Sequence, residues 1–154
     1  MTHGVEDLVI IEIPDPGQGD VLAEQAAMLM LQHIQGISEP TREQVQHTVT
    51  TDMDGHLSIA AIDSESSVVG TGGLSLYEAD GLRAAIVNMV VAPKERGSGL
   101  GKRIISWLEE EAMRLNAKEL FGQPVEAYVG FYEKLGYQPA RRPYMEGGIH
   151  VKTL

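Results

Sequence analysis

The sequence predicts a mixed α/β (α+β) domain with the element order βααβββαβαββ. Three observations carry that prediction. Residues 20–50 are spaced as helices, three consecutive runs between His56 and Ala92 have strand character, and the second half alternates helix-like with strand-like segments. At 154 residues the chain is long enough for a core of its own, and a single domain, 1–154, is expected.

Residues 5–13 alternate loosely between apolar and polar and end before Pro14, which predicts a strand. The turn-forming PDPGQG follows. Asp20 can accept from the first turn of a helix rich in Ala, Leu, Met and Gln, with Gly36 as its stop. Met28, Leu29, Met30 and Leu31 in that helix are expected in the core rather than around a cofactor. A second helix opens at Thr41, which with Gln44 fits a capping box. HLSIAAID and SVVGTGGLSLYE read as strands joined by the turn DSESS. Gly70, Gly72 and Gly73 mark a bulge or a close backbone approach. LRAAIVNMVVAP is a long apolar run ended by Pro93, and is expected to be a central strand buried on both faces. The next helix places Ile104, Ile105, Leu108, Ala112 and Leu115 on one face and Glu109, Glu110 and Arg114 outside. AKELFG reads as a short strand, PVEAYVGFYEKLG as a helix stopped at Gly136, and YQPARRPYM with GIHVKTL as a closing pair of strands.

Composition narrows the function classes. The chain lacks cysteine, which excludes disulfides and thiolate chemistry and leaves a reducing, cytoplasmic setting as the expectation. No apolar run approaches the ~20 residues of a membrane span, and the acidic N-terminus does not resemble a secretory signal. The net charge of −10 is uneven. Residues 1–93 carry two basic and fourteen acidic side chains, whereas residues 94–154 carry ten basic and eight acidic. An acidic surface disfavours nucleic acid and anionic membranes as partners. The basic charge begins at a glycine-rich turn, which suggests a local anion site. The five histidines show no metal-ligand spacing, and no metal is expected.

That turn is RGSGLG, residues 96–101, lying between a strand and a helix. Its glycines permit positive φ and keep side chains away from backbone N–H groups. The first N–H groups of the following helix lack internal partners and carry the positive end of its dipole, so the site suits phosphate. Arg96, Lys102 and Arg103 would add charge at the rim. A dinucleotide fingerprint starting at Gly97 and Gly99 would need glycine where Lys102 stands. A P-loop would need glycine at Arg96 and a hydroxyl at Arg103. Ser98 does not sit in a nucleophile elbow.

VVAPKERGSGLGKRII, with Arg96, Gly99 and Gly101 in the pattern Gln/Arg-x-x-Gly-x-Gly/Ala, resembles the acetyl-CoA motif of the GCN5-related N-acetyltransferases. About thirty residues on, VGFYEKLGYQP resembles the same family's second signature. The resemblance covers roughly residues 56–145. It implies a mostly antiparallel central sheet of six to seven strands flanked by about four helices. It also implies that the backbone of Met89, Val90 and Val91 pairs with pantetheine. The backbone of Arg96, Gly97, Ser98, Gly99, Leu100, Gly101 and Lys102 would then cradle the pyrophosphate of acetyl-CoA, the co-substrate. An acceptor amine would attack the acetyl carbonyl directly in a ternary complex.

Tyr132 would be the general acid for the leaving thiolate, since a phenol with a pKa of about 10 stays protonated at neutral pH. An aromatic core residue is the other reading of the same position. Many members carry Asn and Ala where this chain has Val125 and Tyr128, so the adenosine-side contacts do not carry over. The base stays open among Glu78, His56, His150 and water. The acidic first half favours a cationic acceptor, a small molecule or peptide amine, and a homodimer is compatible with the fold. A CoA-binding sensor or interaction module without transferase activity is the alternative.

Overall fold

The computed structural model describes residues 7–13, 20–53, 57–77, 83–140 and 148–154. Seven strands and four α-helices follow the expected order: β1 (Val9–Ile13), α1 (Val21–His33), α2 (Arg42–His47), β2 (Leu57–Ile62), β3 (Val68–Tyr77), β4 (Arg83–Val91), α3 (Leu100–Arg114), β5 (Glu119–Gly122), α4 (Val129–Lys134), β6 (Gln138–Ala140) and β7 (Ile149–Thr153). The strands form one sheet in the order β1-β2-β3-β4-β5-β7-β6, so β4 is central as expected. β1 runs antiparallel to β2, and β7 antiparallel to both β5 and β6, while β4 and β5 run parallel. The sheet is mixed and mostly antiparallel.

The chain divides into two compact units, Met1–Gly73 with Asn88–Ile105, and Leu74–Val87 with Ser106–Leu154. In the first unit α1 buries Ala23, Ala26, Ala27, Met30 and Leu31, a helical stripe, against Ile13, Val45, Val49, Met53, Ala60, Val68 and Val90. Met28 and Leu29 pack against the same cluster. Asp20 caps α1 by accepting from the Ala23 N–H at 3.0 Å. Both bonds of the capping box at α2 are present, Gln44 N–H to Thr41 Oγ1 at 3.1 Å and Thr41 N–H to Gln44 Oε1 at 2.8 Å. After α2 the chain makes a π-helical turn over Thr48–Asp52.

Asp63 organises the β2–β3 turn. Its Oδ1 accepts from the N–H groups of Glu65 and Ser67, each at 2.9 Å. The Ser67 bond, followed by those from Glu65 and Lys94, holds this carboxyl below the ordinary aspartate range against the opposing effect of burial.

In the second unit Ala85, Phe121 and Ile149 form a core cluster with Val87 and Val151 packed against it. The end of α4 is a complete Schellman motif. Gly136 (φ 96°) donates to Glu133 O at 3.0 Å, and Tyr137 donates to Tyr132 O at 3.1 Å. The apolar contact that accompanies such a motif is made by the rings of Tyr132 and Tyr137, 5.4 Å apart and edge to face.

Gly36 (φ 70°) is the expected stop of α1, turning the chain just past the helix so that the Ile37 N–H reaches back to Leu31 O. Three expectations need correction. The FYEKLG helix is shorter than its apolar pattern suggests, with a 3-10 turn over Glu126–Tyr128 ahead of α4. β4 is buried on both faces only from Ala84 to Ile86, and Val87, Asn88 and Met89 are half-exposed. Asn88 there has φ 53°, a left-handed kink in the strand. Its carbonyl accepts from Thr71 Oγ1 at 2.7 Å, and its amide donates to Asp52 O at 3.3 Å. Finally, Glu109 is not an outward group. Tyr137 Oη donates to its Oε2 at 3.0 Å and Lys152 Nζ lies 2.8 Å from the same atom.

Candidate functional site

The glycine-rich turn lies in the first unit. β4 ends where the Ala92 N–H donates to Val69 O at 2.8 Å, and Pro93 starts a 3-10 turn over Pro93–Glu95. The buried Glu95 offers its carbonyl to both the N–H and the hydroxyl of Ser98, which fixes the turn from inside. Gly97 and Gly99 hold φ of 80° and 92°, a region that only glycine enters without strain. A Cβ at either would meet nothing within 4 Å. These glycines therefore answer a torsional demand, and the outer side of the turn is open.

α3 starts at Leu100, and its first internal hydrogen bond runs from the Arg103 N–H to Gly99 O at 3.1 Å. The N–H groups of Gly99, Leu100, Gly101 and Lys102 come before that bond, so the helix supplies them no acceptors. Four donors converge there with the positive end of the helix dipole. Gly70 of β3 sets the position of this helix start. A Cβ there would approach Ile104 Cδ1 to 3.0 Å and Leu100 Cδ2 to 3.2 Å. Close approach, one of the two readings of the β3 glycines, is the one that holds at Gly70.

The rim charges divide. Lys102 is exposed. Arg96 Nε donates to Val91 O at 3.1 Å, which ties the turn to the end of β4. Arg103 Nη1 donates to Leu8 O at 3.0 Å, which ties α3 to the chain before β1. In the neighbouring strand Val90 is buried in the core, whereas Met89 and Val91 are half-buried. The donor set, the open side and the absence of Cβ atoms fit a pyrophosphate, the anionic part of CoA.

Tyr132 lies in the second unit, on α4. It is 8% exposed, and its ring packs edge-on against Phe131 at 5.7 Å as well as against Tyr137. Burial pushes its hydroxyl up to about 12. Gly122, the last residue of β5, makes room for it, since a Cβ there would stand 3.1 Å from Tyr132 Cε1. Burial, then the charge of Glu109, pushes the Tyr137 hydroxyl upward too.

His150 on β7 is buried, with Glu133 Oε1 3.8 Å from its Nε2. Glu78 and His56 lie outside the described residues. Val125 and Tyr128, at the approach to α4, are exposed at 63% and 47% and are available to a ligand without being part of the core. Asn88 escaped the reading of the sequence, though a lone amide within the apolar run IVNMVV is a signal that could have found its kink.

A profile of the Acetyltransferase (GNAT) family matches residues 26–137. Uncharacterized protein YyaT of Bacillus subtilis (strain 168) is 40% identical over 90 residues, which cover 56% of this chain and 57% of that protein. The chain thus matches little more than half of that relative's length. Among solved structures, Tetrahymena GCN5 superposes with a TM-score of 0.73 at 16% identity, covering 96% of this chain and 95% of that one. An aminoglycoside 6'-N-acetyltransferase complexed with coenzyme A superposes with a TM-score of 0.71 at 19% identity, covering 94% and 96%.

Proposed function

This chain belongs to the Acetyltransferase (GNAT) family, and from that premise we propose that it is an acetyl-CoA-dependent N-acetyltransferase acting on a primary amine. The observation that carries the reading is the start of α3. Four backbone N–H groups, two left-handed glycines and an open outer side match the demands of a CoA pyrophosphate. The complex of coenzyme A with a protein of this fold supports the same ligand.

In the proposed reaction Arg96, Gly97, Ser98, Gly99, Leu100, Gly101 and Lys102 hold the pyrophosphate. The backbone of Met89, Val90 and Val91 pairs with the pantetheine amides and orients the thioester. The amine nitrogen attacks the acetyl carbonyl directly, an N–C bond forms, and the C–S bond breaks. Tyr132 gives its proton to the departing sulfur and regains one from the nitrogen, which must lose it to become an amide. A hydroxyl raised to about 12 is fully protonated throughout the neutral range. It is also a weak acid beside a thiol of about 8.5. Transfer therefore depends on the nitrogen's proton arriving as the sulfur's leaves. No cysteine is present, so a covalent thioester on the enzyme has no place in this scheme. The acidic first half of the chain supports a cationic acceptor, and the lack of cysteine supports a cytoplasmic site of action.

The test is a panel of primary amines, from polyamines and aminoglycosides to lysine peptides, scored by thiol release from acetyl-CoA. Amine-dependent release is expected. Tight acetyl-CoA binding with no release across the panel would replace the enzyme by a CoA-binding module.

A further inference from the structure

β7 carries a histidine whose burial its surroundings do not explain. His150 is 5% exposed, and among the described residues neither Nδ1 nor Nε2 has a hydrogen-bond partner. A neutral imidazole offers one donor and one acceptor. Leaving both unmet in the interior costs stability, so the imidazole is open to a partner from beyond the described residues, a bound ligand among them.

The strand register places this group. His150 stands opposite Gly122 of β5 and Pro139 of β6. Directly opposed residues of antiparallel strands face the same way, with Cβ atoms about 4.5–5.5 Å apart. The direction in which Gly122 lacks a side chain is filled by the ring of Tyr132, 3.1 Å from where its Cβ would be. The imidazole and the phenol thus occupy one face of the sheet, beneath α4. From the same helix the exposed Glu133 brings Oε1 to 3.8 Å from His150 Nε2. That is too long for a hydrogen bond, yet it leaves a carboxylate facing the imidazole. Among the described residues, the other titratable groups on this face are Lys152, Tyr137 and Glu109. They satisfy one another, because Glu109 takes both the Lys152 ammonium and the Tyr137 hydroxyl. Glu133 is left as the carboxylate for His150.

We propose that His150 accepts the proton that the acceptor amine must shed before it attacks, with Glu133 stabilising the resulting imidazolium. This rests on the transfer reading above and supplies the base that it lacks. The ammonium gives one proton to the imidazole, which later releases it to solvent. The free amine then forms the N–C bond, and the second nitrogen proton restores Tyr132 after Tyr132 has protonated the sulfur. One proton leaves per turnover, as amide formation from an ammonium requires.

The experiment measures kcat/KM from about pH 5 to pH 9, using the best amine of the panel, for the wild type, His150→Gln and Glu133→Gln, with acetyl-CoA affinity by calorimetry. His150→Gln should bind acetyl-CoA within about twofold of wild type, lose about 100-fold in kcat/KM and lose the acidic limb of the profile. Glu133→Gln alters an exposed residue and so leaves folding intact. It should lower kcat/KM several-fold with acetyl-CoA affinity within about twofold, because the carboxylate that faces the imidazolium is gone. If His150→Gln keeps its rate and its acidic limb, the role is refuted. Should that variant not fold, a wild-type rate in Glu133→Gln refutes it equally. A wild type that releases no thiol with any amine removes the transfer reading, and this proposal with it. An active wild type with unaffected variants removes only the role of His150.

Discussion

Two glycine positions, one in each unit, are required for opposite reasons. Gly99 in the turn before α3 has φ 92° and empty space where a side chain would stand. Gly122 at the end of β5 is the reverse case, with no left-handed torsion recorded and an aromatic ring 3.1 Å from its absent Cβ. The first glycine serves the backbone, whose N–H groups at the start of α3 have no acceptor within the helix. The second serves a side chain, which needs room to lie against the sheet. In the turn, recognition is a property of local chain geometry. Around Tyr132 it is a property of packing among β5, α4 and β7.

Substitutions can break that contrast, and the largest effect is expected at the turn. Gly99→Glu adds strain of about 1–3 kcal/mol and points a carboxylate towards the open side. Acetyl-CoA affinity measured by calorimetry should fall more than about 100-fold, roughly 2.7 kcal/mol, while circular dichroism stays native. Unchanged affinity would sink the pyrophosphate assignment. Next comes Tyr132→Phe, which keeps the ring and its contacts. It should lower kcat about 100-fold with acetyl-CoA affinity within about twofold, and a wild-type kcat would return Tyr132 to a purely aromatic core role.

Gly122→Ala sharpens the comparison, because it adds one methyl where Gly99→Ala would only strain a torsion. The Tyr132 ring must give by a few tenths of an ångström, so kcat should drop several-fold with stability lowered by about 1 kcal/mol. A change in acetyl-CoA affinity without a change in kcat would contradict the division of labour.

The smallest effect is alkaline. The folded state raises the Tyr132 hydroxyl to about 12 and raises that of Tyr137 as well. Each therefore favours the fold fully below the unfolded tyrosine value of about 10, and that favour is lost as pH climbs above it. Urea midpoints should fall between about pH 10 and pH 12, and less steeply in Tyr137→Phe. Equal slopes would show that the Glu109 hydrogen bond does not couple to folding.

Much of this was legible in the residues themselves. The order of elements, Asp20 as a cap, the Thr41–Gln44 box, the turn at Asp63 and the helix stop at Gly136 are all local. Each depends on side chains within a few positions of one another, and short-range geometry decides them. The geometry of the glycine turn was legible for the same reason, since RGSGLG before a helix sets its torsions and its free N–H groups without help from the rest of the chain. The bond from Arg103 to Leu8 O was not legible because the two residues lie far apart in sequence. Glu109 was misread as outward because Tyr137 and Lys152 arrive from β-structure later in the chain.

The amino-acid sequence by itself determined the family, the element order and the glycine turn, because each is written in spacing and backbone torsion. Tertiary structure alone decided the kink at Asn88, the burial of Tyr132 over Gly122 and the placing of His150 and Glu133 beside it. These depend on strand register and helix packing, which bring together residues that no local pattern relates.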